Sequence, residues 1–299
     1  METAAMDGTA LAPYGNASVI AFVNEKGGVA KTTSCVNLAA ALAQRNNRVL
    51  CIDLDPQANA TTAFGISAEQ AISREAHCLL TMPRFPLERA IVTTQIDGLD
   101  LVPSSARLAD CDKTLVMEVG REGRLRGKLR DFFRSVLTDK YDVILLDCPP
   151  SLGLLTINAL TAATHMIVPV NTKLYALKGM ALLGDLVATL HEQIGASVKL
   201  LGVLVTMFDK KTALDLTIYR LLKEKIESEY GNYLFSTIIS KSVVVSEAEA
   251  GGLPVLVREP ESRAATAYQE LADEMLDRLR FSIPGLAGSG IGPMMAQVH

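Results

Sequence analysis

NEKGGVAKTT, residues 24–33, is the stretch on which the fold turns. An apolar run, SVIAFVN (18–24), enters it, and TTSCVNLAAALAQ (32–44) leaves it with helical period. The glycine-rich segment is therefore a strand-to-helix loop, the setting in which backbone N–H groups cradle phosphate oxygens. Gly27 and Gly28 let the chain turn and bring those groups close to an anion. Lys31 opens the helix and is placed to reach the terminal phosphates. Thr32 can ligate Mg2+ through its hydroxyl, and the helix N-terminus adds partial positive charge. The spacing departs from the common GxxxxGK(S/T) pattern, because Ala30 stands where the glycine before the lysine would be and neither Asn24 nor Glu25 supplies the first. At Ala30 the N–H stays available to a phosphate provided φ is negative. Taken alone, GGxxK also fits an ordinary glycine turn before a helix. One feature is unusual: a second lysine, Lys26, lies at the front of the loop, five positions before Lys31.

Two further segments weigh against the ordinary turn. CIDLDPQANATT (51–62) ends a strand with Asp53 and Asp55, and YDVILLDCPPS (141–151) ends a second apolar strand with Asp147. Open α/β sheets bind ligands at the C-terminal edge of their strands. An acid at the end of such a strand can hold Mg2+ through water. Singly, each acid could be a helix cap; three strands each running into such a loop form a joint signal.

Around these segments, short apolar runs alternate with longer stretches of helical period. Strands are expected at Val19–Val23, Val49–Asp53, Leu99–Pro103, Val143–Asp147, Met166–Val170, Leu200–Thr206 and Leu234–Ile239. Helices are expected near 31–45, 106–118, 122–137, 153–163, 176–193, 212–229 and 261–280. The alternation predicts an α/β fold, a doubly wound, mainly parallel sheet with helices on both faces. It is read as a single domain over 18–281, with residues 1–17 a disordered tail and 282–299 a flexible one. The chain has 299 residues, 49% apolar, enough for one sizeable core. Its net charge of −4 does not mark a nucleic-acid or membrane binder, so any such contact must come from a local patch. The five cysteines are scattered without a CxxC pair and read as reduced packing residues of a cytosolic protein. The first 18 residues hold no Lys or Arg, unlike a secretory signal, and no run approaches the roughly 20 apolar residues of a membrane span. The four histidines show no metal-ligand spacing.

KGGVAKTT (26–33), DLDPQANAT (53–61), DCPPSLGLLTINAL (147–160) and SEAEAGG (246–252) resemble the ParA-type partition ATPases, within the ParA/MinD group of P-loop NTPases with a deviant Walker A loop. The resemblance covers about Val19 to Leu279. It implies ATP and Mg2+ as cofactors, with Lys26, Gly27, Gly28, Val29, Ala30, Lys31, Thr32, Thr33 and Asp55 contacting the nucleotide. Lys26 matches the family's signature lysine, which crosses to the ATP of a partner subunit in a sandwich dimer. Lys26, Lys31 and Asp55 are then the catalytic set, Asp55 orienting the attacking water. Thr32 and Asp147 are the metal-side residues, Asp53 lies near the Mg2+ shell, and Gln57 and Asn59 sense the γ-phosphate.

The same resemblance implies a homodimer on ATP binding, non-specific DNA binding, a ParB-like centromere-binding partner, and a cytoplasmic, nucleoid-associated location. VTMFDKKTALD (205–215) resembles a DNA-contacting family segment and puts Lys211 at the contact position. The window 199–225 carries six basic residues against three acids, which a solvated helix face would also explain. Further on, IISKSVVVSEA (238–248) departs from the family pattern. Lys241 keeps one cation, Val244 replaces a usual arginine, and Ser240 and Ser242 replace residues expected near the adenine. A second basic run, REGRLRGKLRDFFR (121–134), is read as a structural helix with a solvated arginine face. Two neighbouring functions stay open: ParA-like positioning of a protein cargo such as a carboxysome or chemoreceptor cluster, and a small-molecule P-loop ligase. A membrane-cycling ATPase would need a basic amphipathic C-terminal helix, and residues 282–299 contain no Lys or Arg.

Overall fold

The computed structural model describes residues 14–135, 140–173 and 176–281. Seven strands form one sheet: β1 (Ser18–Phe22), β2 (Val49–Asp53), β3 (Val92–Thr93), β4 (Leu99–Val102), β5 (Val143–Asp147), β6 (His165–Asn171) and β7 (Lys199–Thr206). Their order is β3-β4-β2-β5-β1-β6-β7, parallel except for the short edge strand β3. From β1 the chain winds outward to one side through β2 and, later, to the other through β6 and β7. The loop after β1 therefore opens at the place where the winding reverses, the usual ligand crevice of such sheets.

The strand sequences explain the two-faced burial. Val19, Ala21, Leu50, Ile52, Ile144 and Leu146 enter one core, while Ile20, Phe22, Val49, Cys51, Val143 and Leu145 enter the other. With both faces covered, the strands show apolar runs in place of polar alternation. Thirteen helices are described: α1 (Lys31–Ala43), α2 (Asn59–Ala63), α3 (Ala68–Ala71), α4 (Ala76–Thr81), α5 (Leu87–Ala90), α6 (Cys111–Leu115), α7 (Arg124–Arg134), α8 (Leu154–Ala162), α9 (Ala176–Ile194), α10 (Ala213–Tyr230), α11 (Val243–Ala250), α12 (Val255–Arg258) and α13 (Arg263–Phe281). The first core takes α7, α8 and α10; the second takes α1, α11, α12 and α13. All five cysteines are buried thiols. Among the described residues no helix is long and apolar enough to cross a membrane.

α7 is amphipathic as its sequence suggests, burying Leu125, Leu129, Phe132 and Phe133. Lys128 on the same helix caps the carbonyls of Met82, Pro83 and Phe85 at 3.0, 2.7 and 2.6 Å. The helix expected over 106–118 is instead a 3-10 turn (Ala106–Asp110) followed by α6. Of the expected N-terminal tail, residues 1–13 lie outside the described residues, as do 282–299. Residues 14–17 are not tail: Tyr14 is buried, and its hydroxyl donates to the Ala162 carbonyl at 2.8 Å.

One expected strand, Leu234–Ile239, is not a strand. The segment runs parallel to β7 and the residues that follow it, meeting them at two isolated bridges, Val203 to Leu234 and Phe208 to Ser240, and through the Ile239 N–H, which donates to the Val205 carbonyl at 2.9 Å. Between them the ladder is broken because Glu274 of α13 takes the N–H groups of Ser236 and Thr237 at 2.8 and 3.0 Å. Arg278, one turn on, binds the carbonyls of Leu201, Tyr233 and Leu234 and lies over the Phe235 ring, 4.1 Å from its centroid. A short polar clamp from α13 thus interrupts the sheet pairing. It needs Gly202, where a Cβ would stand 2.5 Å from Phe235 and 2.7 Å from Arg278. Gly202→Ala should cost about 1–3 kcal/mol by overpacking, read as a lower urea midpoint. An unchanged midpoint would show that the clamp can step aside.

Candidate nucleotide-binding site

The loop between β1 and α1 is tied down on both sides. Asn24 is buried and bridges outward: its Nδ2 donates to the Pro169 carbonyl at 2.7 Å and its Oδ1 accepts from the Lys26 N–H at 2.9 Å. On the far side, the buried Thr206 hydroxyl lies 3.0 Å from the Val29 carbonyl and 3.1 Å from that of Val170. Gly28 takes φ 69°, a left-handed turn that glycine permits. Asn24 and Thr206 are site residues that the sequence did not expose. Nothing in a linear reading ties position 24 to 169 or 206 to 29.

Ala30 adopts φ 56° and ψ 38° and opens α1 through its carbonyl, which accepts from Ser34 N–H at 2.9 Å. The negative φ on which its N–H depended for phosphate contact is not found. The chain must turn sharply from Val29, buried against the sheet, into the helix, and Ala30 takes the left-handed geometry that does so. That conformation costs roughly 1–2 kcal/mol in a residue with a Cβ. Ala58, which opens α2 in the next loop, carries the same geometry at φ 54°.

The two lysines differ. Lys31 is buried, and its Nζ donates to the Lys26 carbonyl at 3.1 Å, folded over its own loop. Burial lowers its pKa, opposed by the charges of Asp147 and Asp55. Lys26 is half-exposed, and among the described residues its ammonium makes no hydrogen bond or ion pair.

Asp53 and Asp147 stand side by side, paired in register at the ends of β2 and β5, both fully buried. Asp53 is satisfied by protein donors. One oxygen accepts from Asp55 N–H at 3.1 Å, and the other from Thr61 N–H and hydroxyl at 2.9 and 2.7 Å. Its work is to set the Asp55 loop and α2. Both Asp147 oxygens are buried without a hydrogen-bond partner. Burial raises the Asp147 carboxyl well above its usual range, the neighbouring Asp53 charge adds to this, and the Thr32 hydroxyl and Lys31 act against it. Two orphaned oxygens beside a hydroxyl and a lysine fit a divalent cation. Thr32 and Asp147 are the residues that would hold Mg2+.

Asp55 is nearly buried, with one oxygen accepting from Gln57 N–H at 2.9 Å and its carbonyl accepting from the Ser104 hydroxyl at 2.7 Å. Gln57 and Asn59 lie exposed at the rim. Beside the loop, Ala30, Thr33, Met207, Ser240, Ser242 and Tyr268 line a cavity of about 190 Å³, sized and placed for a base. Val244, where the resemblance expects an arginine, turns inward against the second core.

Lys211 and Lys241 are not at the phosphate loop. They meet in an adjoining cleft of about 470 Å³, joined by Lys210 and Arg263 with one acid, Asp209. That acid is already used by the Lys211 N–H at 3.0 Å. Elsewhere, Glu75, His77 and Cys78 bring ligand atoms within 4.8 Å of one another. Arg107 already pairs with that Glu75 carboxylate at 2.6 Å, so the group is an ion-paired cluster.

Comparison with known proteins places this geometry. A family model described as an AAA domain matches residues 17–200. The sporulation initiation inhibitor protein Soj of Bacillus subtilis is 37% identical over 257 residues, covering 86% of this chain and 97% of that protein. The chromosome partitioning protein ParA of Caulobacter vibrioides is 35% identical over 263 residues, covering 88% and 95%. Among solved structures, a cobyrinic acid a,c-diamide synthase of Mycobacterium smegmatis with bound ADP and magnesium superposes with a TM-score of 0.74 at 30% identity, covering 92% of this chain and all of that one.

The buried acids yield a test. Folding raises the Asp53 and Asp147 carboxyls above their unfolded values, so the folded chain takes up protons that the unfolded chain leaves in solution. Free of divalent cations, stability should therefore rise as pH falls from neutral towards the unfolded carboxylate range. Asp147→Asn should flatten that slope and stabilise the metal-free protein by about 1–3 kcal/mol at neutral pH. The same variant should lose Mg2+-dependent nucleotide binding. Urea melts in EDTA and nucleotide titrations with Mg2+ separate the two effects, and a destabilised metal-free variant would refute the orphaned-acid account.

Proposed function

This chain belongs to the ParA/MinD family of P-loop ATPases, and we propose that it is a partition ATPase working as an ATP-dependent dimer on DNA. In this reading the ATP-bound form closes a homodimer and holds nucleoid DNA without sequence preference. It lets go after a partner protein stimulates hydrolysis. The single observation that carries the reading is the asymmetry of the two lysines. Lys31 bends back onto its own loop, while the Lys26 ammonium at the loop's front has no partner of its own among the described residues. A cation presented outward can neutralise charge on the triphosphate of a second copy. Dimer stability then depends on the γ-phosphate, and cleavage loosens the pair.

The remaining roles follow from the same geometry. The N–H groups of Gly27, Gly28, Val29, Thr32 and Thr33 would line the phosphates, while Ala30, whose φ is positive, serves as the turn into α1. With Thr32 and Asp147 as its protein ligands, Mg2+ would neutralise charge on the β- and γ-oxygens. Asp55 keeps one oxygen for Gln57 and has its second for the attacking water, held in place through Asp53, Thr61 and Ser104. Lys211 and Lys241, with Lys210 and Arg263 in the same cleft, are the proposed DNA-binding residues. A ParB-like centromere-binding protein, or an adaptor on a carboxysome or chemoreceptor cluster, is the proposed stimulating partner. The proposed location is cytoplasmic and nucleoid-associated.

The likeness to the cobyrinic acid a,c-diamide synthase favours a second reading, a small-molecule ligase whose acidic substrate would occupy the cationic cleft. Co-sedimentation with DNA, with and without ATP, separates the two. ATP-dependent retention supports the partition reading, and its absence together with turnover of a small acid supports the ligase.

Lys26→Ala should bind ATP with near-parental affinity and weaken ATP-dependent dimerisation at least tenfold, about 1.4 kcal/mol, measured by light scattering after size exclusion. Parental dimerisation in that variant would remove the role in trans. The double variant Lys211→Glu, Lys241→Glu should dimerise normally and lose DNA retention at low salt. Its salt slope should fall by roughly one for each phosphate it no longer neutralises. Unaltered retention would place the DNA surface elsewhere.

A further inference from the structure

A second cavity lies at the opposite, N-terminal edge of the sheet, far from the phosphate loop in topology. It measures about 290 Å³ and is lined by the end of α8 (Thr161, Ala162), the first residues of β6 and β7 (His165, Lys199), Arg126 of α7, and Tyr14. That volume is at the lower end of the range for small-molecule sites. Neither the proposed ATPase cycle nor the proposed DNA surface uses any of these residues.

Charge and hydrogen bonding in the cavity are both unbalanced. Among the described residues no carboxylate lines it. Among the described residues neither Arg126 nor Lys199 has an ion pair, although Arg121, Arg124 and Arg130 around Arg126 each have one. Two lining groups also carry buried polar atoms without partners, Thr161 Oγ1 and His165 Nε2. The His165 tautomer follows from its neighbour. Thr164 Oγ1 accepts from Val19 N–H at 3.0 Å and spends its one proton on the Val19 carbonyl at 2.9 Å. Its 3.0 Å contact with His165 Nδ1 therefore has the ring N–H as donor. Nε2 is left as a bare acceptor, and burial together with Lys199 holds the ring neutral, its pKa lowered to about 4. The α8 C-terminus would repel an anion, but its Ala162 carbonyl is covered by the Tyr14 hydroxyl.

A ligand that completes this cavity must bring negative charge for two cations and a hydrogen-bond donor for Nε2. A bare carboxylate or a sulfate offers acceptors only. A phosphate monoester or inorganic phosphate has a second pKa near 6 and offers acceptor oxygens with one exchangeable proton. We propose that this cavity is a binding site for a small phosphorylated solute, held by Arg126 and Lys199 and oriented by His165 Nε2. The shared proton lies between that nitrogen and a phosphate oxygen, so binding couples to protonation of the ring without any covalent change.

The test is side-chain NMR of the histidines, with inorganic phosphate as probe and sulfate as control, and His165 assigned from a His165→Gln spectrum. Millimolar phosphate should shift the His165 ring nitrogens saturably and raise the pH at which they titrate, with sulfate binding more weakly. Arg126→Gln with Lys199→Gln should weaken the phosphate effect at least tenfold while the other histidine signals stay in place, showing an intact fold. A His165 ring indifferent to phosphate, or an equal response in the double variant, would overturn the site. Equal binding of sulfate would overturn the donor argument that selects phosphate.

Discussion

Two carboxylates placed side by side in the dry interior are the constraint that organises this molecule. Asp53 and Asp147 end adjacent parallel strands in register, and both are fully buried. Like charges so placed repel and cannot both be left to the protein alone. The fold resolves the pair unequally. Asp53 collects three donors from its own loop and from Thr61, which fixes where Asp55 stands and where α2 begins. Asp147 collects none, and its two oxygens are left without a hydrogen-bond partner at the crevice. One acid is satisfied within the fold and the other is not.

The phosphate loop shows a similar division between restraint and exposure. Asn24 and Thr206 hold its two flanks to β6 and β7, and Lys31 holds its middle from inside. What remains free is the front, where the Lys26 ammonium takes no part in the loop's own hydrogen bonds. A loop fastened at three points can keep alanine in a left-handed turn at position 30, because the surrounding bonds outweigh a cost of roughly one or two kcal/mol. Such strain belongs in a site whose backbone has to be presented to an anion without rearranging.

The base side of the crevice is built by different means. Residues 233–241 pair with β7 only at their two ends, because Glu274 of α13 takes the N–H groups of Ser236 and Thr237 in between and Arg278 takes the carbonyls of Tyr233 and Leu234. The segment is therefore carried by a helix from the end of the chain, and its Ser240 to Val243 stretch separates the small cavity beside Ala30 from the cationic cleft holding Lys211 and Lys241. One short piece of irregular backbone thus borders both that cavity and the cationic cleft.

Much of this was legible in the linear sequence. The strands Val49–Asp53 and Val143–Asp147 fall where their apolar runs predict, since a strand buried on both faces advertises itself by composition. The strand-loop-helix order around NEKGGVAKTT, and the acids at strand ends, settle the α/β class and bring Lys31, Thr32, Asp55 and Asp147 to one edge, because parallel strands all deliver their C-terminal loops to the same side. Tertiary structure alone decided the rest. That Leu234–Ile239 is no strand depends on Glu274, 38 and 37 residues on from the two N–H groups it takes. Whether Asp53 or Asp147 keeps free oxygens depends on Thr61, and the sign of φ at Ala30 depends on how the loop is fastened. Periodicity records which face of an element is buried; which polar groups meet across elements is a matter of distance, and distance appears only when the chain is folded.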